Sequence, residues 1–346
     1  MGKWLNDDRF GDLNIPILRP ASFDISELYD RDPPLIAYRT NKFGFRGGEY
    51  EASDIDILAL GGSTTKEGMI ADGETWTDRL AKMLSDDLDR KIVIANAGQD
   101  AQSTFGHIVT VDVWLKKIRD LRPKFILALV GVNDQSLGRP LKGFDDFNPR
   151  NRYHRIRTYI WNHSALYDLY RRARGVYRAY VTRVIHMSRS PVDFGETYPD
   201  ADLIRVDSPV PEMPPQIRDD LAEHLAAYES RLTVLTERIR SLGAKPVLIN
   251  QIRGDLVDYG DYFTYKKLSG WELPKILKVF HTSRLYARET MRICKKLRAV
   301  CIDLAGGVTI PADERYDLVH TTPQGAKRIA EFVMKELAPH VRAAER

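Results

Sequence analysis

Cysteine is nearly absent: Cys294 and Cys301 are the two in 346 residues. Their spacing is not C-x-x-C, so no disulfide framework and no redox motif is expected. Long apolar runs are missing as well. No stretch of about 18 apolar residues occurs, which excludes a transmembrane helix. The opening Met1-Gly2-Lys3-Trp4-Leu5-Asn6 has no apolar signal core, and Asn6 breaks the myristoylation pattern. Scarce cysteine and no targeting segment together predict a cytoplasmic protein. Internal repeats and low-complexity tracts are lacking too. Charge of one sign does not dominate: 52 Lys and Arg stand against 48 Asp and Glu, a net +4.

What is present is ordinary globular composition, 43% hydrophobic, enough for one large core with elaborations. Five short runs of Ile, Val, Leu and Ala, at 55–60, 91–96, 124–130, 245–250 and 299–304, read as buried parallel strands. Helical periods lie between them. Trp76, Leu80, Leu84 and Leu88 recur every four residues. Ile108, Val111, Leu115 and Ile118 recur at three and four. The stripe from Leu221 to Leu242 stops at Gly243, and a last helix carries Ala326, Ile329, Val333 and Leu337. This alternation predicts an α/β fold: a three-layer α/β/α, flavodoxin-like domain with a five-stranded parallel sheet. Residues 1–50, with Pro16, Pro20, Pro33 and Pro34, read as an extended N-terminal arm packed on a 51–340 domain. Residues 135–215 are too long for a simple crossover and read as a helical insertion. A shorter insertion, about 253–280, is rich in Tyr and Gly.

The first strand runs into Gly61-Gly62-Ser63-Thr64-Thr65, placing Ser63 at its carboxyl end. Open parallel sheets put their chemistry at that edge. The second strand ends in Asn96-Ala97-Gly98 and the third in Gly131-Val132-Asn133-Asp134. Asp317-Leu318-Val319-His320 lies just before the last helix. Ser63, Gly98 and Asn133 therefore share one sheet edge, and the His320 loop returns to it. The set offers a nucleophile, a base with an acid three residues before it, and oxyanion donors. Each also has a structural reading: Ser63 as a helix cap, Gly98 as a turn glycine, Asn133 in an Asx turn, Asp317 and His320 as a surface pair. A P-loop is excluded because Lys66 follows Thr65 with no second glycine at the required spacing. Gly61, Gly62 and Gly68 do not make G-x-G-x-x-G. The other seven histidines form no recognisable zinc motif.

These four blocks, in this order over residues 61–320, resemble the SGNH (GDSL-type) hydrolase superfamily. The usual Gly-Asp-Ser is here Gly-Gly-Ser, so an Asp is missing at Gly62. The segment Asn41-Lys42-Phe43-Gly44-Phe45-Arg46-Gly47 also looks like one that precedes the first block in bacterial members. The resemblance implies a triad of Ser63, His320 and Asp317, and an oxyanion hole of Ser63, Gly98 and Asn133. It implies a serine esterase acting on a short-chain or O-acetyl carbohydrate ester through an acyl-enzyme, with no metal or organic cofactor. Acyl transfer to a glycan by the same triad, and a non-catalytic binding module on the same fold, stay open.

Residues 150–190 hold ten arginines and one acid, +9 in a segment of a +4 chain. Arg171, Arg174 and Arg178 lie at helical spacing there. They read either as a solvated helix face or as a patch for an anionic glycan or anionic membrane surface. No nucleic-acid partner is expected, since no reader motif accompanies the charge.

Overall fold

A computed structural model describes residues 21–136, 198 and 201–345 except 252, with isolated positions 156, 164–166, 169 and 170. Arg171, Arg174 and Arg178 lie outside the described residues, as do most of the 135–215 insertion and the first 20 residues of the arm.

In chain order the strands are β1 (Ala21–Asp24), β2 (Leu35–Tyr38), β3 (Ile57–Gly61), β4 (Ile94–Asn96), β5 (Phe125–Val130), β6 (Leu203–Val206), β7 (Lys245–Asn250), β8 (Leu256–Asp258), β9 (Phe263–Lys266) and β10 (Val300–Ile302). The helices are α1 (Ser63–Lys66), α2 (Trp76–Leu88), α3 (Thr104–Val109), α4 (Pro215–Asp220), α5 (Ala222–Ser241), α6 (Leu273–Lys296), α7 (Leu304–Gly307) and α8 (Pro323–Glu345).

The central sheet has the order β10-β7-β5-β3-β4, with every pairing parallel. Both faces are covered, so each strand is apolar on both sides. Along β3, Leu58 and Leu60 enter one core with Ile126, Ala128, Trp114, Leu232 and Ile293. Ile57 and Ala59 enter the other with Leu127, Trp76, Leu80, Val333 and Leu337. Period-two alternation thus feeds two helix layers from one strand. Each large side chain buried this fully contributes about 1.5–3 kcal/mol.

In chain order the five strands run 2-1-3-4-5 across the sheet. The connections reverse direction between β3 and β5, and the crevice outside their carboxyl ends is where such sheets bind ligands. Ser63 and Asn133 follow those two strands.

Local chemistry sets the boundaries. Thr75 accepts from the Asp78 N–H at 3.1 Å and Asp78 accepts from the Thr75 N–H at 3.3 Å, a capping box that starts α2. Gly243, at φ +81°, follows the end of α5. The Ile108–Ile118 periodicity is realised as α3, a π-turn over Thr110–Trp114 and a 3-10 turn over Leu115–Lys117.

Three features depart from the sequence reading. The longest helix among the described residues, α6, was not singled out, because charged residues interrupt its apolar positions. A three-stranded antiparallel sheet, β6-β9-β8, occupies the return of the first insertion and part of the second; its strands are too short for an alternation signal. Cys294 and Cys301 form a disulfide, their Cα atoms 5.8 Å apart. Cys294 lies in the last turn of α6 and Cys301 in β10, so the helix–turn–strand reversal sets them side by side, which linear spacing does not reveal. The expectation of no disulfide is therefore corrected, and low cysteine content no longer argues for a reducing compartment. Among the described residues no helix is long and apolar enough to cross a membrane.

Within the arm, β1 and β2 pair antiparallel, and Arg46 bridges to Asn96 beside the outer strand β4. Asn41 Oδ1 accepts the N–H groups of Phe43 and Phe45 at 3.0 Å, folding the Asn41–Gly47 segment into a turn. Phe45 is thereby set against Trp114, ring centroids 5.0 Å apart.

Candidate active site

Ser63 is the first residue of α1, immediately after β3 and the N-cap Gly62. The one-turn helix is held from three sides. Asn96 Nδ2 donates to Thr65 O at 2.6 Å and to Thr77 Oγ1 at 3.0 Å. Arg46, 5% exposed, donates to the carbonyls of Lys66, Glu67 and Ile70. Trp76 Nε1 donates to Thr64 O at 3.2 Å. The Ser63 N–H, at the open end of this turn, has no acceptor among the described residues.

The base loop comes from the other end of the chain. Arg315 and Thr321 bridge, and the Tyr316 N–H donates to His320 O at 3.2 Å, closing a tight loop before α8. His320 Nε2 lies 2.7 Å from Ser63 Oγ, and His320 Nδ1 lies 2.6 Å from Asp317 Oδ2. The carboxylate partner fixes the tautomer: Nδ1 carries the proton and donates, leaving Nε2 to accept from the serine hydroxyl. Asp317 Oδ1 accepts the N–H groups of Val319 at 2.8 Å and His320 at 2.7 Å. Burial opposes the charge of Asp317, but the imidazole and these backbone donors outweigh it and hold the carboxyl below its usual range. The Tyr316 ring stacks on the imidazole, 5.5 Å between centroids and 5° between planes, which restricts ring rotation.

Asn133 opens a 3-10 turn after β5, with Gly131 at φ +110° between them. Its Nδ2 donates one hydrogen to Gln102 O at 2.8 Å. A Cβ added to Gly62 would lie 2.5 Å from the same nitrogen, so the amide sits over the residue before Ser63. An Asp at position 62, as in Gly-Asp-Ser, would push that amide away. Behind Asn133, the buried Asp134 accepts from Thr104 Oγ1 at 2.5 Å and from Arg231 at 3.3 Å. This network locks the turn.

Gly98 is placed differently from its expected role. Its N–H donates to Asn96 Oδ1 at 3.0 Å, and an added Cβ would lie 2.3 Å from Lys66 N. Gly98 is a close-approach glycine against α1, and its amide is already spent, so it is withdrawn from the oxyanion set.

The supporting residues Gln102, Thr104, Arg231 and Tyr316 were not singled out in the sequence. Asp134 was visible as the neighbour of Asn133; Arg231 carries no local signal, being one polar residue on a long helix.

No protein-family model matches the chain, and no curated protein matches it in sequence. Among solved structures it is similar to TesA, with a TM-score of 0.43 and 12% identity over 82% of this chain and 98% of that one. It is similar to Axe2, an acetylxylan esterase from Geobacillus stearothermophilus, with a TM-score of 0.41 and 12% identity over 81% and 93%. It is also similar to the psychrotrophic esterase EstA from Pseudoalteromonas sp., with a TM-score of 0.41 and 14% identity over 83% and 98%.

Proposed function

We propose that this chain is a serine ester hydrolase of the SGNH type, acting through an acyl-enzyme on Ser63. One observation supports this above the rest: the continuous relay from Asp317 to His320 to Ser63, at 2.6 and 2.7 Å. A serine hydroxyl is a poor nucleophile until a base takes its proton.

In the proposed reaction Ser63 Oγ attacks the ester carbonyl as His320 Nε2 takes its proton. Asp317 stays ionised and stabilises the imidazolium. The carbonyl oxygen becomes an oxyanion, met by the Ser63 N–H and the second hydrogen of Asn133 Nδ2. Collapse breaks the ester C–O bond, and the departing alkoxide takes the proton from Nε2. Water then attacks the acyl-enzyme, giving its proton to His320, and Ser63 leaves with that proton restored. The proposed substrates are short-chain acyl esters, O-acetyl carbohydrates among them.

A fluorophosphonate probe is expected to label the wild type and not Ser63→Ala, and ester turnover by the variant is expected to fall about 10⁴-fold or more. Equal labelling of the two proteins would remove Ser63 from the mechanism.

A further inference from the structure

A polar cluster is buried behind the Asn133 side of the site. Gln102, Ser103, Thr104, His107 and Thr110 are each 1% exposed or less. They are interleaved with Val109, Val111 and Trp114, which belong to one of the two apolar cores. Burying an amide, an imidazole and hydroxyls there costs free energy unless each finds a partner. Stability alone does not call for such a set. Apolar residues of the same shape pack as well without that demand.

The hydrogen bonds of the cluster run toward Asn133. Gln102 lies two residues before α3, and its side-chain amide is held at both ends. Nε2 donates to Thr110 Oγ1 at 3.0 Å, and Oε1 lies 3.0 Å from His107 Nδ1. Burial pushes the His107 imidazole down to about 3, so the ring is neutral at ordinary pH. A neutral imidazole carries one N–H, and Oε1 can only accept, so Nδ1 is the protonated nitrogen and donates. With its side chain fixed to α3 in this way, Gln102 offers its backbone carbonyl to Asn133 Nδ2 at 2.8 Å. Two residues on, the Thr104 N–H and Oγ1 donate to Asp134 at 3.2 and 2.5 Å. Residues 102–104 therefore clasp both Asn133 and Asp134.

Gln102 O sets which way the Asn133 amide points. The last torsion of an asparagine is broad, so the amide needs an external reference. A fixed acceptor for one hydrogen leaves the second in a defined direction. An oxyanion donor is worth most when that direction is set before the reaction begins.

We propose that His107 and Thr110, by clamping the Gln102 side chain, aim the Asn133 amide at the oxyanion, and so are positioning residues of the reaction. The inference rests on the esterase reading and extends it to residues that never touch substrate.

The test is a set of double-mutant cycles. Wild type, His107→Leu, His107→Asn and Thr110→Val are assayed on 4-nitrophenyl acetate, each alone and combined with Asn133→Ala. Active sites are counted by fluorophosphonate titration carried to completion. His107→Leu should lower kcat per active site about tenfold with KM nearly unchanged, a smaller loss than removing the donor itself. Combined with Asn133→Ala it should lower kcat at most about twofold further, since no amide is left to aim. His107→Asn, whose side-chain N–H can stand in for Nδ1–H, should recover most of the loss. Thr110→Val removes the other holder with little change of shape. It should show a smaller loss with the same dependence on Asn133, and it carries the test if His107→Leu does not fold.

The same loss with and without Asn133, or a His107→Asn protein as impaired as His107→Leu, would make the cluster merely structural and overturn the inference. So would an unchanged kcat in both His107→Leu and Thr110→Val, with wild-type turnover keeping the esterase reading intact. A wild type that is neither labelled nor active on any ester would overturn the esterase reading, and this inference with it.

Discussion

Two loops meet at the candidate site, and each is held by a buried arginine, yet the two arginines are used differently. Arg46, 5% exposed, gives its terminal nitrogens to three carbonyls at the end of the nucleophile turn and lies 3.6 Å from Asp72. Arg315, 6% exposed, gives one nitrogen to Val319 O in the base loop. Both leave Nε unpartnered, so the difference lies in the rest of the fork. Arg46 neutralises backbone that would otherwise be buried without donors. Arg315 holds a single carbonyl in that way. Equal burial of the same residue type therefore does not mean equal duty; the partners decide.

Among the substitutions that probe this contrast, the nucleophile side should yield the largest effect on turnover. Asn133→Ala removes a side-chain donor held by Gln102 O beside Gly62. Its expected cost is about 10²–10³ in kcat, the usual worth of one oxyanion donor. KM should hardly change, because the charge develops only in the transition state. Steady-state kinetics on a neutral ester checks this, and a large KM rise with kcat intact would make Asn133 a substrate-binding residue instead.

The next test concerns stability. Arg46→Met strands three buried carbonyls, at about 1–3 kcal/mol each, while Asp72 keeps Arg39 at 3.1 Å. Arg315→Met removes a cation with no carboxylate in contact and strands one carbonyl, so it should cost clearly less. Denaturant unfolding of both variants reads the difference. Equal losses would mean that both arginines are structural pins.

How much of this was legible beforehand follows the same division between local pattern and distant partner. The five strands were readable because sheets covered on both faces need unbroken Ile, Val, Leu and Ala, as in Ile57–Leu60 and Phe125–Val130. The meeting of Ser63, Asn133, Asp317 and His320 followed from where each falls relative to a strand end or the last helix. Gly98 misled because a glycine needed for close approach to Lys66 looks the same in sequence as one presenting its amide. Arg46 and Arg315 were silent as a contrast, since their partners are carbonyls and carboxylates fixed only by tertiary folding. Cys294 and Cys301 pair across a helix–turn–strand reversal that no spacing rule describes.

The last and smallest effect lies where the two loops touch. Glu67 follows the nucleophile turn in a left-handed conformation, φ +48°, and is 3% exposed. It accepts the Trp76 N–H at 2.7 Å and a longer bond, 3.4 Å, from Thr321, the residue after His320. Burial pushes its carboxyl up to about 8, against the lowering effects of the Trp76 N–H and Arg46. The folded protein thus keeps Glu67 protonated at pH values where the unfolded chain has released the proton. Below the unfolded value, near 4.3, both states are protonated and nothing is lost. As the pH rises from there to about 8, the unfolded state gains from ionisation and the folded state does not, so stability falls by on the order of a few kcal/mol and then levels off. Glu67→Gln keeps an oxygen for the Trp76 N–H and has no proton to lose. It should match wild-type stability near pH 4.5 and exceed it increasingly toward pH 8–9. Urea unfolding of the two proteins at pH 5, 7 and 9 tests this, and parallel pH profiles would show that Glu67 does not titrate in this window.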